Sequence, residues 1–129
     1  RHPDLQVGFF EAGAGWAPFW IAKLHEKWQD MGWMMPEMTA DPLVTFSERC
    51  FVTIEAEEAI LLTTLDFFGG HAVGWSSDLP HFDCEDYGRP DALINSPSLT
   101  DERKYRLLCA NAVEFFDLKV PTRARAAAE

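Results

Sequence analysis

Three short apolar segments, each followed by an acidic residue, most constrain how this chain can fold. They span residues 5–10, 50–54 and 72–77, and the residues that follow them are Glu11, Glu55 and Asp78. Such runs are typical of strands covered on both faces, as in a parallel sheet. Because ligands bind beyond the carboxyl ends of parallel strands, the sequence predicts one sheet edge with three acids. Acids also favour loop starts, so the pattern alone leaves a functional edge and ordinary loop acids equally open.

Helical patterns separate these segments. Apolar residues recur at helical spacing from Trp16 to Met31, and Gly32 is a natural stop. Further helices are predicted over 57–68, over 90–95 and from a Thr100 cap towards Asn111. The connection 33–47 is long enough for a short helix of its own. The alternation predicts an α/β fold of about three parallel βα units joined by right-handed crossovers.

The aromatic residues of the first helical segment and the last residues of the chain carry weaker signals. The stripe Trp16, Phe19, Trp20 and Trp28 has the spacing of a core-facing helix rather than of a stacking platform. Residues 119–129 have the composition of a flexible tail, so residues 1–118 form the predicted domain.

Composition excludes several classes of function. The chain has 129 residues, 47% of them hydrophobic, and a formal net charge of −10, which predicts one small domain with a core. Nucleic-acid binding needs concentrated Lys and Arg, so that class is not expected. Three cysteines without a paired motif favour reduced thiols. With no apolar run of membrane length and no signal-like segment, the expected location is the cytoplasm.

Asp78, His81 and Glu11 are the candidate chemical residues. A carboxylate at a strand end can bind a metal or act as a base towards a metal-bound water. Asp78 also precedes Leu79-Pro80 and could simply stabilise that turn, which spacing alone favours slightly. His81 could bind a metal, hydrogen-bond Asp78 or only lie on the loop. Glu11 precedes a Gly-Ala-Gly turn that lacks a phosphate-loop signature, and a buried acid there needs a partner.

Two further patterns predict no site. No cysteine lies in a nucleophile signature. Asp83, Glu85 and Asp86 could hold a cation with His81, but they lack the spacing of a calcium loop, which favours a solvated acidic loop.

Four segments together resemble a known family over residues 2–118. They are FFEAGAGWAPFWIAKLHEKW, PLVTFSERCFVTIEAEEA, AVGWSSDLPHFDC and LLCANAVEFFDL. The set is similar to the C-terminal part of amidohydrolase-related metalloenzymes, the family that includes aminocarboxymuconate semialdehyde decarboxylase and related hydrolases and lyases. The resemblance implies a partial (β/α)8 TIM barrel, with strands six to eight ending at Glu11, Glu55 and Asp78. It also implies a small-molecule substrate.

The resemblance further implies a divalent metal, often zinc, at the C-terminal face of the barrel. Asp78 matches the eighth-strand aspartate that binds the metal. Glu11 stands where many members have a catalytic histidine, which puts the decarboxylase role of that position in doubt. The sequence contains no His-x-His pair, whereas members carry one on the first strand. A whole barrel needs about 250 residues, so the chain is expected to be a C-terminal fragment that lacks the early histidine ligands.

Three hypotheses of function follow. The first is part of a metal-dependent hydrolase or decarboxylase, with Asp78 as metal ligand and Glu11 and His81 lining the site. This chain alone is then expected to be inactive and to retain little metal. The second is a non-catalytic α/β module that associates with itself or a partner through open sheet edges. An independent small enzyme using Glu11, Glu55 and Asp78 is the least favoured.

Overall fold

The computed structural model describes residue 2, residues 4–82, residue 84 and residues 89–120. One sheet contains the strands β1 (Val7–Phe9), β2 (Cys50–Ile54) and β3 (Val73–Trp75), in the order β1-β2-β3. Both pairings are parallel, with Val7 opposite Cys50 and Val52 opposite Val73. The architecture is therefore α/β with a three-stranded parallel sheet, as in part of a (β/α)8 barrel, which confirms the predicted fold class.

Helices connect the strands and cover the sheet. In chain order they are α1 (Trp16–Met31), a 3₁₀ turn (Gly32–Met34), α2 (Pro42–Arg49), α3 (Leu61–Phe67), α4 (Asp91–Ile94), α5 (Asp101–Tyr105), a π turn (Arg106–Ala110) and α6 (Asn111–Phe115). The last three run consecutively and form the C-terminal helical segment. None of the helices that the structure describes is both long enough and apolar enough to cross a membrane.

The central strand explains why the sequence pattern works. Residues 51–54 of β2 are all buried, because neighbours flank the strand on both sides and helices pack against the sheet. The core around it contains Leu65, Val73, Leu93 and Leu107, each at most 2% exposed. Burying one such side chain contributes about 1.5–3 kcal/mol relative to exposing it. The β-branched, apolar run of β2 is thus held in place by the core itself.

Side-chain caps begin two of the helices, and the sequence predicted the one at Thr100. Asp41 is the N-cap of α2: its carboxylate accepts a hydrogen bond from the Leu43 amide at 2.9 Å, and Pro42 occupies the first turn. Thr100 caps α5 in the same way, accepting from the Arg103 amide at 3.3 Å. The connection after α1 therefore does contain a helix, as its length indicates.

Asn111 attaches the C-terminal helical segment to the sheet. Its Nδ2 donates to the carbonyl oxygens of Gly70 at 2.7 Å and Val73 at 2.8 Å. Its Oδ1 accepts from Arg106 at 3.0 Å, and the residue is only 4% exposed. The π turn lies directly before Asn111. The predicted helix from the Thr100 cap to Asn111 is thus present, with this wider turn inside it.

Two sequence-based expectations were wrong. The third helix begins at Leu61 rather than at residue 57, and Glu58 lies in the turn before it, where its carboxylate accepts from the Glu55 amide and from the Ala14 and Gly15 amides of another loop. Phe19 and Trp20 are 66% and 57% exposed rather than buried. Their part of α1 faces away from the sheet, and the two rings stack on each other at 6.2 Å instead.

Trp16, by contrast, packs as predicted, against the rings of Phe9 and Phe46. The proposed acidic loop residues Asp83, Glu85 and Asp86 lie outside the described residues, as does most of the proposed tail, residues 121–129. The division at residue 118 stays a prediction.

Candidate metal centre

Glu11 and Asp78 occupy equivalent positions just beyond the carboxyl ends of β1 and β3. Both backbones lie in the left-handed region, with φ of 54° and 55°. For residues with a Cβ this conformation costs about 1–2 kcal/mol. Strain of this kind persists only where surrounding contacts enforce it, and it is often found at functional sites. The two turns direct both acids to the same edge of the sheet.

The structure brings Glu11, Asp78 and His81 together. One candidate ligand atom from each lies within 4.8 Å of the other two. His81 Nδ1 is 2.6 Å from Asp78 Oδ1, and His81 Nε2 is 3.7 Å from Glu11 Oε2. The imidazole therefore lies between the two carboxylates, with one ring nitrogen towards each. These are the three residues that the sequence singled out.

Asp78 is the buried member of this cluster. The residue is 7% exposed, whereas His81 and Glu11 are much more open to solvent. Its carbonyl oxygen also accepts from the His81 amide at 2.9 Å, which closes the turn between them. Asp78 thus both shapes this turn and presents its carboxylate to His81. The turn role that the sequence left open is thus present, and the role of Asp78 as a metal ligand stays a prediction.

Hydrogen bonds from backbone amides to two side chains hold the Glu11 turn in place. The Glu11 amide donates to Thr53 Oγ1 at 3.2 Å, and Thr53 is buried in β2. Further along the same loop, the amides of Ala14 and Gly15 donate to the Glu58 carboxylate at 3.1 and 3.3 Å. Sequence reasoning missed both Thr53 and Glu58, because partners about 43 residues apart produce no periodic pattern.

The remaining candidates lie elsewhere. Glu55 follows β2 at the same edge, but it is not one of the three clustered residues; its amide donates to Glu58 Oε1 at 3.0 Å. His25 is 2.8 Å from Asp41, and His71 is 3.3 Å from Arg106. His2 lines a groove beside β1. Only His81 among the four histidines joins the cluster, as the sequence indicated.

The donor set suits a divalent cation. An imidazole nitrogen with carboxylate oxygens is a common combination at zinc sites and is compatible with several transition metals. Asp78 Oδ1 can only accept while the carboxylate is ionised, so His81 Nδ1 carries the proton of that bond. In the neutral ring, Nε2 then presents a lone pair towards the Glu11 carboxylate. His81 Nε2 and the Glu11 carboxylate then face each other as two acceptors. A cation between them, either a proton or a metal ion, would bind to both.

Comparison with known proteins gives one clear result. No curated protein matches the chain significantly. The family model described as Amidohydrolase, however, matches residues 1–118. That match covers both strand ends that carry the cluster and the C-terminal helical segment. The chain belongs to the amidohydrolase family.

Proposed function

We propose that this chain forms part of a metal-dependent hydrolase or decarboxylase site, in which Asp78, His81 and Glu11 hold a divalent metal, zinc most readily. The observation that carries the proposal is the imidazole of His81 placed between two carboxylates at the carboxyl edge of a parallel sheet. The family generally binds divalent metals and acts on small molecules, which supports it. A bound metal would supply Lewis-acid polarisation of the substrate and activation of water.

The difference in burial between Asp78 and Glu11 suits them to different roles. Asp78, buried and close to Nδ1, fixes the orientation of the His81 ring and leaves Nε2 as the nitrogen that can bind. Glu11 is more exposed, with its side chain 41% accessible, so its Oε2 can accept a proton at the site and release it to solvent. Hydrolysis requires such a proton acceptor, whereas decarboxylation requires a carboxylate-bearing substrate and a proton that replaces the CO2 leaving it.

This chain supplies few residues that could bind a metal at the site. Among residues 1–129 there is no His-x-His pair, and only one histidine lies at the site. We therefore expect weak metal binding and no turnover from this chain by itself. This expectation separates the proposal from an independent small enzyme, which would turn over substrate with Glu11, Glu55 and Asp78 alone.

Metal titration tests the site. Wild-type protein and the Asp78→Asn variant are titrated with Zn²⁺ by calorimetry and with Co²⁺ by its visible spectrum. The expected result is one weak site per chain whose affinity falls at least about tenfold in Asp78→Asn, since even outer-shell changes have effects of that size. Asp30→Asn, an exposed aspartate of α1, is the matched control and should bind as wild type does. Equal affinities for wild type and Asp78→Asn would refute the proposal.

A second candidate function is association through an open sheet edge. In the described structure β1 pairs with β2 alone. Beside β1 lies a groove of about 750 Å³ whose lining includes Leu5, Val7 and Met38. Leu5 is 59% exposed and Val7 37% exposed. A strand with one open edge and an adjoining apolar groove is suited to pairing with another chain, here a second copy.

Sedimentation distinguishes this second candidate. Wild-type protein should form dimers or larger species, and Leu5→Glu should shift it towards monomer. Ile94→Glu, at an exposed apolar position on α4, introduces the same charge away from the groove and serves as the control. A well-folded wild-type monomer at all concentrations would remove this candidate and leave the metal site unaffected.

A further inference from the structure

The carboxylate of Glu58 joins two loops at the carboxyl edge of the sheet. It accepts hydrogen bonds from the Ala14 amide at 3.1 Å and the Gly15 amide at 3.3 Å, both in the loop that begins at Glu11. It also accepts from the Glu55 amide at 3.0 Å, at the end of β2. One side chain thus satisfies donors of two segments that are about 43 residues apart in sequence. A buried or half-buried amide without such a partner would be costly.

Gly13 makes this approach possible. Its φ is +59°, and a Cβ atom built at this position would lie 3.3 Å from each Glu58 carboxylate oxygen. Only glycine combines that backbone conformation with room for the carboxylate. Gly13 therefore lets the Glu58 carboxylate approach the loop, and the contact depends on both residues.

A carboxylate is better suited to this place than an amide. All the groups that face it are backbone N–H donors, and a carboxylate offers acceptors on both oxygens. It also lies at the N-terminal end of α1, a 16-residue helix whose dipole favours negative charge there. Glutamine would present an NH₂ group to one of these donors. The substitution Glu58→Gln therefore changes the interaction while conserving size.

The loop that Glu58 binds is the one that positions Glu11. Its first residue has a strained φ of 54° and is held by Thr53; its last residues are held by Glu58. Trp16 closes the same loop, because its indole N–H donates to the Gly13 carbonyl oxygen at 2.9 Å. If the hydrogen bonds to Glu58 are lost, the Thr53 hydrogen bond is the one of these two contacts that still holds the strained backbone of Glu11.

We propose that Glu58 is a positioning residue, which holds the Glu11 loop so that the Glu11 carboxylate faces His81. Glu58 touches neither the metal nor the substrate in this arrangement and acts through Glu11. The inference rests on the proposed metal site for its functional consequence, while its structural part concerns the loop alone.

Amide hydrogen exchange tests the structural part without any metal. In Glu58→Gln, the amides of Ala14, Gly15 and Glu55 should exchange faster, and so should the Glu11 amide that Glu58 does not contact. Glu57→Gln, an adjacent exposed glutamate with the same loss of charge, is the control and should leave all four unchanged. Acceleration confined to the three amides that Glu58 contacts directly would overturn the positioning role.

A double-mutant cycle of Zn²⁺ affinity tests the functional part. Glu58→Gln should weaken binding about tenfold in the wild-type background, the lower end of what outer-shell groups contribute. In the Glu11→Gln background the same change should have less than about a twofold effect, because the residue it positions no longer binds. An equal effect in both backgrounds, or none in either, would refute the inference.

Gly13→Ala provides a second route if Glu58→Gln folds poorly. The added Cβ should displace the Glu58 carboxylate from the loop. This variant should therefore show the same changes in amide exchange and Zn²⁺ affinity as Glu58→Gln. If wild-type protein binds no metal at all, the proposed function fails, and the exchange of the Glu11 amide alone decides the positioning role. Faster exchange there supports it, and unchanged exchange overturns it.

Discussion

The Nδ1 atom of His81 lies 2.6 Å from Oδ1 of Asp78, three residues earlier in the chain. The turn that brings them together starts from a left-handed Asp78 backbone, with φ of 55°. Asp78 is buried, and a buried carboxyl group needs a hydrogen-bond partner, which His81 supplies. The same contact leaves the Nε2 nitrogen directed at Glu11. This contact therefore gives the buried acid a hydrogen-bond partner and also fixes the orientation of the His81 ring.

The protein should be more stable with glycine at position 11 than with alanine at that position. At φ of 54°, alanine keeps the left-handed strain and glycine relieves it, so the free energy of unfolding of Glu11→Gly should exceed that of Glu11→Ala by about 1 kcal/mol. Urea unfolding of the two variants measures the difference. Glu26, inside α1, is the control, since there the order should reverse by a similar amount. Equal stabilities at position 11 would show that the turn is not strained.

Asn111→Ala should destabilise the protein strongly. The change removes both hydrogen bonds to the carbonyl oxygens of Gly70 and Val73 in a site that is 4% exposed. The expected loss is about 2–3 kcal/mol of unfolding free energy, because the buried acceptors lose their partners. Asn95→Ala, at an exposed position after α4, should cost about 0.5 kcal/mol or less. Similar losses at both positions would contradict the anchoring role of Asn111.

Continuous patterns made much of the fold predictable. The bounds of β2 matched the sequence expectation because the core buries four of its five residues, and α1 matched because its apolar spacing ends at Gly32. The proximity of Glu11, Asp78 and His81 could also be foreseen. Glu11 and Asp78 follow strands that are parallel, and parallel strands place their carboxyl ends together.

Contacts between distant segments limited the prediction. The predicted helix over 57–68 places Glu58 in its first turn, where the helix dipole favours acids, yet the carboxylate accepts hydrogen bonds from Ala14 and Gly15. Phe19 and Trp20 fit an apolar helical stripe, but the sheet covers only part of that helix surface. In both cases the local pattern is compatible with two environments, and only the tertiary arrangement selects one of them.

The Cys50 thiol should react slowly with alkylating agents. Burial raises the pKa of this thiol above its ordinary value of 9.0, so the reactive thiolate is scarcer at neutral pH. Iodoacetamide kinetics on a Cys84→Ser/Cys109→Ser variant, followed across pH, should show a midpoint above 9.0. The same variant unfolded in urea is the control and should return to ordinary thiol behaviour. A midpoint below 9.0 in the folded protein would contradict the burial effect.

The contact between His25 and Asp41 should make stability depend on pH in acid. The hydrogen bond from His25, together with that from the Leu43 amide, holds the pKa of the Asp41 carboxyl below its usual value of 3.8, although desolvation opposes it. Since the folded pKa is the lower one, this stabilisation is complete above the unfolded value and is lost as pH falls through the folded value. Urea unfolding at pH 6, 4 and 3 measures it.

Asp41→Asn is the informative variant, because asparagine still caps α2 but cannot ionise. Wild type should lose its stability advantage over Asp41→Asn below about pH 4, the region of the usual aspartate pKa. Asp101→Asn, an exposed acid in the first turn of α5, gives the background pH dependence of a carboxyl that is not bound to histidine. An advantage that stays constant from pH 6 to pH 3 would show that His25 does not act on the ionised form of Asp41.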